Sequence, residues 1–323
     1  MKRSLFAAIL AVAATAAAAG PLDRPECIAP AKPGGGFDLT CKLAQSGLMN
    51  GKFISDPMRV TYMPGGIGAV AYNSVVAQRP GENNTIVAFS GGSLLNLAQG
   101  KFGRYSENDV RWLAAVGTDY GAVIVMNNSP FKSLKDLMGA VKADPTKVVF
   151  GAGGTVGSQD WMKAALVARA AGIDYKAMRF VAFEGGGEAS TALQGGHISV
   201  YSGDASEVAE KISAGAPFRV LAVMADKRLP GTLANVPTAK EQGYDIEWPI
   251  IRGFYMGPKV TDADYKVWVD TFSKMMATKE WDKLREERGL FPFAMTGADL
   301  DAYVKKQVAS YKKLADDFGL VRK

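Results

Sequence analysis

One pattern recurs along this chain and limits what it can fold into: a short β-rich run, a glycine-rich loop, then a helical stretch. Glu26 to Ala29 reads as a strand and is followed by Gly34-Gly35-Gly36. Asp38 to Met49 then carries Leu39, Leu43 and Leu48 at helical spacing. Arg59 to Met63 leads into Gly65-Gly66-Ile67-Gly68, and Thr85 to Phe89 into Ser90-Gly91-Gly92-Ser93. Strand, loop and helix in repeated succession are the grammar of a parallel sheet covered by helices.

The second part of the chain repeats it. Ala122 to Met126 is β-rich, and Ser133 with Asp136 forms a capping box ahead of Leu134, Leu137, Met138 and Val141. Val148 to Phe150 runs into Gly151-Ala152-Gly153-Gly154-Thr155-Val156-Gly157-Ser158 and a helix to about Ala171. Arg179 to Phe183 runs into Gly185-Gly186-Gly187, and Ile198 to Tyr201 into Ser202-Gly203-Asp204. Val220 to Met224 and Ile250 to Gly257 are further strands. Thr261 with Asp264 opens a helical section whose last helix aligns Leu300, Val304, Val308, Tyr311, Leu314 and Phe318 and stops at Gly319. No low-complexity linker divides the chain, so two lobes joined by chain crossings are expected. A length of 323 residues suits about two domains.

Composition excludes several chemistries. His197 is the only histidine, which argues against His-based metal sites, Ser-His-Asp triads and Cys-His dyads. Lys2 and Arg3, the apolar run Leu5 to Ala14 and Ala17-Ala18-Ala19 have the pattern of a cleaved signal peptide over residues 1–19. Its removal takes the formal charge from +6 to +4, with Lys and Arg spread out, so no nucleic-acid face is expected. Export to an oxidising compartment favours joining Cys27 and Cys41, the only two cysteines, into a structural disulfide.

The glycine loops suit anion capture. Glycine lets backbone approach a ligand, and the helix start behind it offers unpaired N–H groups and a positive dipole end. Ser90, Ser93, Thr155 and Ser158 add hydroxyls. Such loops gather at the carboxyl ends of parallel strands, so loops of two facing lobes would line one cleft suited to a small carboxylate or phosphate. Rival readings are weaker. Gly151, Gly153 and Gly157 miss the dinucleotide spacing, since Val156 stands where the third glycine belongs. Ser129 with Lys132 and Ser310 with Lys313 match Ser-x-x-Lys, which keeps a secreted serine hydrolase as an alternative, but Lys-Thr-Gly and Ser-Asp-Asn are absent.

The run Cys27-Ile28-Ala29-Pro30-Ala31-Lys32-Pro33-Gly34-Gly35-Gly36-Phe37-Asp38-Leu39-Thr40-Cys41 resembles the first loop of the periplasmic receptors of tripartite tricarboxylate transporters. Met58 to Gly68 looks like their second loop, and the Ser90 loop, Gly151 to Ser158, Glu184 to Gly196 and Asp204 follow in order. The cysteine-flanked first loop looks closest to the tricarboxylate-binding receptors.

The resemblance implies an α/β, two-lobed periplasmic binding protein of the type II-like, Venus-flytrap kind, each lobe a mainly parallel sheet flanked by helices. Lobe one would comprise residues 20–120 and 245–323, and lobe two residues 121–244. Ligand contacts would fall on Gly35, Gly36, Phe37, Asp38, Gly65, Gly66 and Ser90 of lobe one. Gly153, Thr155, Gly157, Ser158, Gly185 and Asp204 of lobe two would face them. Asp204 would accept from a ligand hydroxyl or water, or cap its helix. Lys32 and Arg252 lie near this cleft and could offset ligand charge. The implied function is non-enzymatic and periplasmic: a monomer without cofactor or metal that binds a tricarboxylate such as citrate and presents it to integral membrane transporter subunits. A dicarboxylate receptor is the near alternative.

Overall fold

The strands and helices follow the glycine punctuation. The computed structural model describes residues 20–321, so the expected signal peptide lies outside the described residues. The first half runs β1 (Glu26–Ala29), α1 (Gly36–Asn50), β2 (Arg59–Tyr62), α2 (Ala69–Ala77), β3 (Thr85–Ser90) and α3 (Gly91–Ala98). A long strand β4 (Arg111–Met126) leads to α4 (Leu134–Ala143), β5 (Val149–Gly153), α5 (Gln159–Ala170), β6 (Arg179–Phe183), α6 (Gly186–Gln194), β7 (Val200–Asp204), α7 (Ala205–Ser213) and β8 (Phe218–Val223). The chain returns through β9 (Pro249–Met256), α8 (Asp262–Met276), α9 (Lys279–Glu287), β10 (Met295–Thr296) and α10 (Gly297–Asp317).

The strand order is β2-β1-β3-β9-β4-β7-β5-β6, with β8 and β10 also paired to β4. β1 is parallel to β2 and β3, and β5 is parallel to β6 and β7. The sheet is nevertheless mixed, because β4 and β9 carry the chain between the halves and run antiparallel to their neighbours. β4 pairs with β9 as far as Tyr120↔Pro249, then with β7 from Gly121↔Asp204. At this junction Gly121 N donates to Trp248 O at 3.0 Å and Met224 N to Gly121 O at 2.7 Å.

Helices cover both faces of each half, as buried apolar stripes require. In the first half Leu39, Leu43 and Leu48 of α1 pack with Trp268 and Phe272 of α8 on one face. Leu94 and Leu97 of α3 pack with Leu300, Val304 and Val308 of α10 on the other. In the second half α4 and α5 bury Leu137, Met138, Trp161 and Met162, while α6 and α7 bury Leu193 and Val208. α10 serves both halves. Beyond its start in the first core, Phe318 packs 4.8 Å from Tyr175 and 6.3 Å from Trp161, ring centre to ring centre.

Cys27 and Cys41 form the expected disulfide and tie β1 to α1 with a Cα separation of 5.7 Å. Ser133 Oγ caps α4 by accepting from Asp136 N at 3.1 Å. The expected return bond is displaced by one residue, since the Asp136 carboxylate accepts from Lys132 N.

Candidate functional site

Five helices end at one cavity. The residues just before α1, α3, α5, α6 and α7 are Gly35, Ser90, Ser158, Gly185 and Asp204, and all five line a space of about 40 Å³ between the halves. The cause is topological: each helix follows the carboxyl end of a strand, and the two sets of strand ends face each other. The cavity has room for a few water molecules at most. A wider space of about 380 Å³ adjoins it through the shared residues Ile67, Asn96 and Ser158. A groove of about 770 Å³ between α7 and the end of α9 is larger, but of the glycine loops it meets only the start of α7.

The hydroxyl caps retain chemistry for a ligand. Ser158 Oγ accepts from Trp161 N at 3.3 Å, and Ser90 Oγ accepts from Gly92 N at 3.2 Å. Both hydroxyls are acceptors in these caps, which leaves their protons available to an anion. The halves touch across the cleft. Gln99 Nε2 donates to Gly157 O at 2.8 Å, and Lys32 bridges to Glu188 at 2.5 Å. Glycines allow the contact at its tightest point: a Cβ on Gly187 would lie 2.4 Å from Pro33 O.

A buried charge network fills the floor. Arg252, only 2% exposed, reaches Asp119 and Asp204 through Nη2, each at 2.7 Å. Lys163, with no exposure, reaches Asp204 at 2.6 Å and Asp160 at 2.9 Å. Glu207 lies 3.9 Å from Arg252 and accepts from Tyr201 Oη at 2.9 Å. Burial opposes the charge on Asp204, yet Lys163 and Arg252 hold its carboxyl below the usual range. Burial likewise opposes the charge on Lys163, and Asp160 with Asp204 holds it above the lysine range. For Glu207 the balance goes the other way: burial, reinforced by the charge of Asp204, outweighs Arg252 and the Tyr201 hydroxyl, which favour its charge, and pushes its carboxyl up to about 8.

The expected site residues separate into groups. Gly35, Gly36, Phe37, Ser90, Gly153, Ser158, Gly185 and Asp204 line the inner cavity. Gly66 and Thr155 line the wider space. Asp38 turns away, its carboxylate accepting from Gly34 N, Lys42 and Tyr62. Gly65 packs against Val70, and Gly157 sits in the contact with Gln99 and Lys101, so neither borders either space. Asp204 does not cap α7, because its oxygens serve Lys163, Arg252 and Gln159 instead. Lys32 lies at the rim on Glu188, whereas Arg252 is central. Neither Ser-x-x-Lys match forms a hydroxyl–amine pair: Lys132 Nζ bonds the carbonyl of Ser129, and the Ser310 hydroxyl bonds Lys306 O.

Sequence reasoning missed Asn96, Gln159, Asp160, Lys163 and Glu207. Lys163 had a signal, being a cation within the apolar stretch Trp161 to Val167. Arg252 had the same signal, between Ile250-Ile251 and Phe254. A charge on a buried stripe demands a buried partner. Asn96 and Gln159 had none, since a polar residue in the first turns of a helix is ordinary.

Two halves, a shared crossing strand and a cleft ringed by helix starts define a solute-binding protein of the two-lobed class. The profile described as tripartite tricarboxylate transporter family receptor matches residues 52–320, and the chain belongs to that family. Members of this family are periplasmic receptors rather than enzymes. Among curated proteins it is similar to the UPF0065 protein in the gbd 5' region of Cupriavidus necator, 24% identical over 207 residues. That match covers 64% of this chain and 61% of the relative's length. MatC of Rhodopseudomonas palustris, solved with bound malate, shares the fold with a TM-score of 0.77 at 17% identity, over 94% of this chain and all of that one. A second R. palustris protein, solved with adipate, gives 0.80 at 18% identity, over 93% and 98%. Among the described residues no helix is long and apolar enough to cross a membrane.

Proposed function

We propose that this chain is a periplasmic receptor that captures a small carboxylate between two lobes and presents it to the membrane subunits of a tripartite transporter. The observation that carries this reading is the convergence of five helix N-termini, from both halves, on one cavity. The lobes are residues 20–120 with 245–323, and 121–244. The change of partner along β4 between Tyr120 and Gly121 supports that division. Ligand enters with the lobes apart, and closure brings the Gly35 and Ser90 loops onto the Gly153, Ser158 and Gly185 loops. The closed surface is what the membrane partner reads. No step is covalent.

The cargo that the cysteine-flanked first loop suggests is a tricarboxylate such as citrate. A dicarboxylate is the second reading, favoured by the malate and adipate in the two similar structures. Thermal unfolding of the mature protein against mono-, di- and tricarboxylates and phosphate decides between them. A ligand at about 100 times its dissociation constant stabilises by roughly 2.7 kcal/mol, a clear shift in midpoint. A selective shift with citrate supports the tricarboxylate. A shift confined to dicarboxylates moves the cargo and keeps the mechanism. No shift with any acid sinks the carboxylate reading.

A further inference from the structure

Four buried polar atoms border the inner cavity with no hydrogen-bond partner among the described residues. One, Asp160 Oδ1, is ion-paired with Lys163 at 2.9 Å; the other three are Asn96 Oδ1, Gln159 Oε1 and Arg252 Nε. Their residues are 3%, 9% and 2% exposed. The amide orientations are set by their other ends. Asn96 Nδ2 donates to Ile67 O at 3.2 Å, and Gln159 Nε2 donates to Asp204 Oδ2 at 3.4 Å. Both remaining oxygens are therefore acceptors. Arg252 spends only Nη2 on Asp119 and Asp204. Its Nη1 lies against Gly36, where a Cβ would be 2.0 Å away.

Buried polar groups without partners are costly and rare, so a cluster of them around one cavity marks where a ligand's own groups fit. The cluster has a definite polarity. Arg252 supplies donors and suits a carboxylate. The two amide oxygens need donors, and an ionised carboxylate has none to give. A ligand made only of carboxylates and methylenes would leave both oxygens unpaired and bring more negative charge beside Asp160 and Asp204. From this, and resting on the carboxylate-receptor reading, we infer that the cargo is a hydroxy- or amino-substituted carboxylate. Arg252 grips one carboxylate, and Asn96 Oδ1 and Gln159 Oε1 read a hydroxyl or ammonium group next to it.

Calorimetric titration of the mature protein with matched acids tests this. The pairs are citrate with tricarballylate, and malate or aspartate with succinate. Within each pair the carboxylates are the same and only the donor differs. The expected result is that at least one donor-bearing acid binds roughly 10- to 100-fold more tightly than its partner. Malate ahead of aspartate assigns the donor to a hydroxyl, and the reverse order to an ammonium. Equal affinity within every pair overturns the inference while leaving the receptor intact, and would mean that the amide oxygens are served by buried water. Absence of binding by every acid overturns the underlying reading and the inference with it. Gln159→Met should remove most of the discrimination, and Gln159→Glu, which keeps an acceptor, should retain it. A preference unchanged in a folded Gln159→Met protein and in Asn96→Leu would also sink the assignment.

Discussion

Gly36 shows how one missing methyl group decides the site. Its Cα lies against the guanidinium of Arg252, so Gly36→Ala forces Arg252 off its two carboxylates or shifts the first turn of α1. Leaving Asp119 and Asp204 short of their cation costs about 3–5 kcal/mol by analogy with other broken buried ion pairs. Urea unfolding of Gly36→Ala should show a loss of that order, and ligand binding should fall with it. An unchanged midpoint would mean that the Arg252 side chain has another place to go. The disulfide is a second residue-scale case. It closes a loop with a sequence separation of 14, worth about 3 kcal/mol in the chain-entropy model. Comparing urea midpoints with and without reductant checks this, and equal midpoints would refute it.

At the scale of elements, caps and ligand contacts coincide and have to be separated. Ser158 caps α5 and lines the cavity. Ser158→Ala should cost about 1 kcal/mol of stability, but Ser158→Gly only a few tenths, since glycine is tolerated before a helix. Both variants lose the hydroxyl. If that hydroxyl holds ligand, both should weaken binding alike despite their different stabilities; affinity that tracks stability would assign Ser158 to the helix alone. This scale is also where the sequence was most legible. The run Glu26 to Ala29 is β1 as read, and Leu300, Val304 and Val308 do line the buried side of α10. Glycine loops and apolar periods are local signals. The single sixteen-residue strand β4 was hidden, because its pairing changes partner midway and only Ala122 to Met126 looks like an uninterrupted strand. The packing of Phe318 on Trp161 and Tyr175 was hidden too, since nothing near Phe318 says which half its helix end will meet. The inner site was half legible: its glycines and caps stand in motifs, whereas Asn96, Gln159 and Glu207 join it only through the approach of the two halves.

For the molecule as a whole, burying so many charges between two halves ties its stability to pH. Glu207, held up to about 8 by burial and by Asp204, has an ordinary glutamate value of 4.5 once unfolded. Between those values the unfolded chain has released this proton and the folded protein keeps it. Stability must then fall as pH rises through that window, by up to about 1.4 kcal/mol per unit for this group. Asp160, also raised by burial, acts in the same direction. Asp204 and Lys163 do not contribute there. The lowered value of Asp204 matters only below about its ordinary 3.8, and the raised value of Lys163 only above about 10.5. Urea midpoints from pH 5 to pH 8 should therefore decline, and Glu207→Gln should flatten the decline without abolishing it. A midpoint that rises across this range would contradict a protonated Glu207. The same proton links stability to lobe motion. Glu207 and Asp204 belong to one half and Arg252 to the other, so separation of the halves wets the carboxyl that burial has kept neutral. Opening should release a proton near pH 7, and the ligand-free receptor should open more readily at pH 8 than at pH 6. Small-angle scattering at the two pH values checks this, and a radius of gyration that does not change, or is larger at pH 6, would break the link.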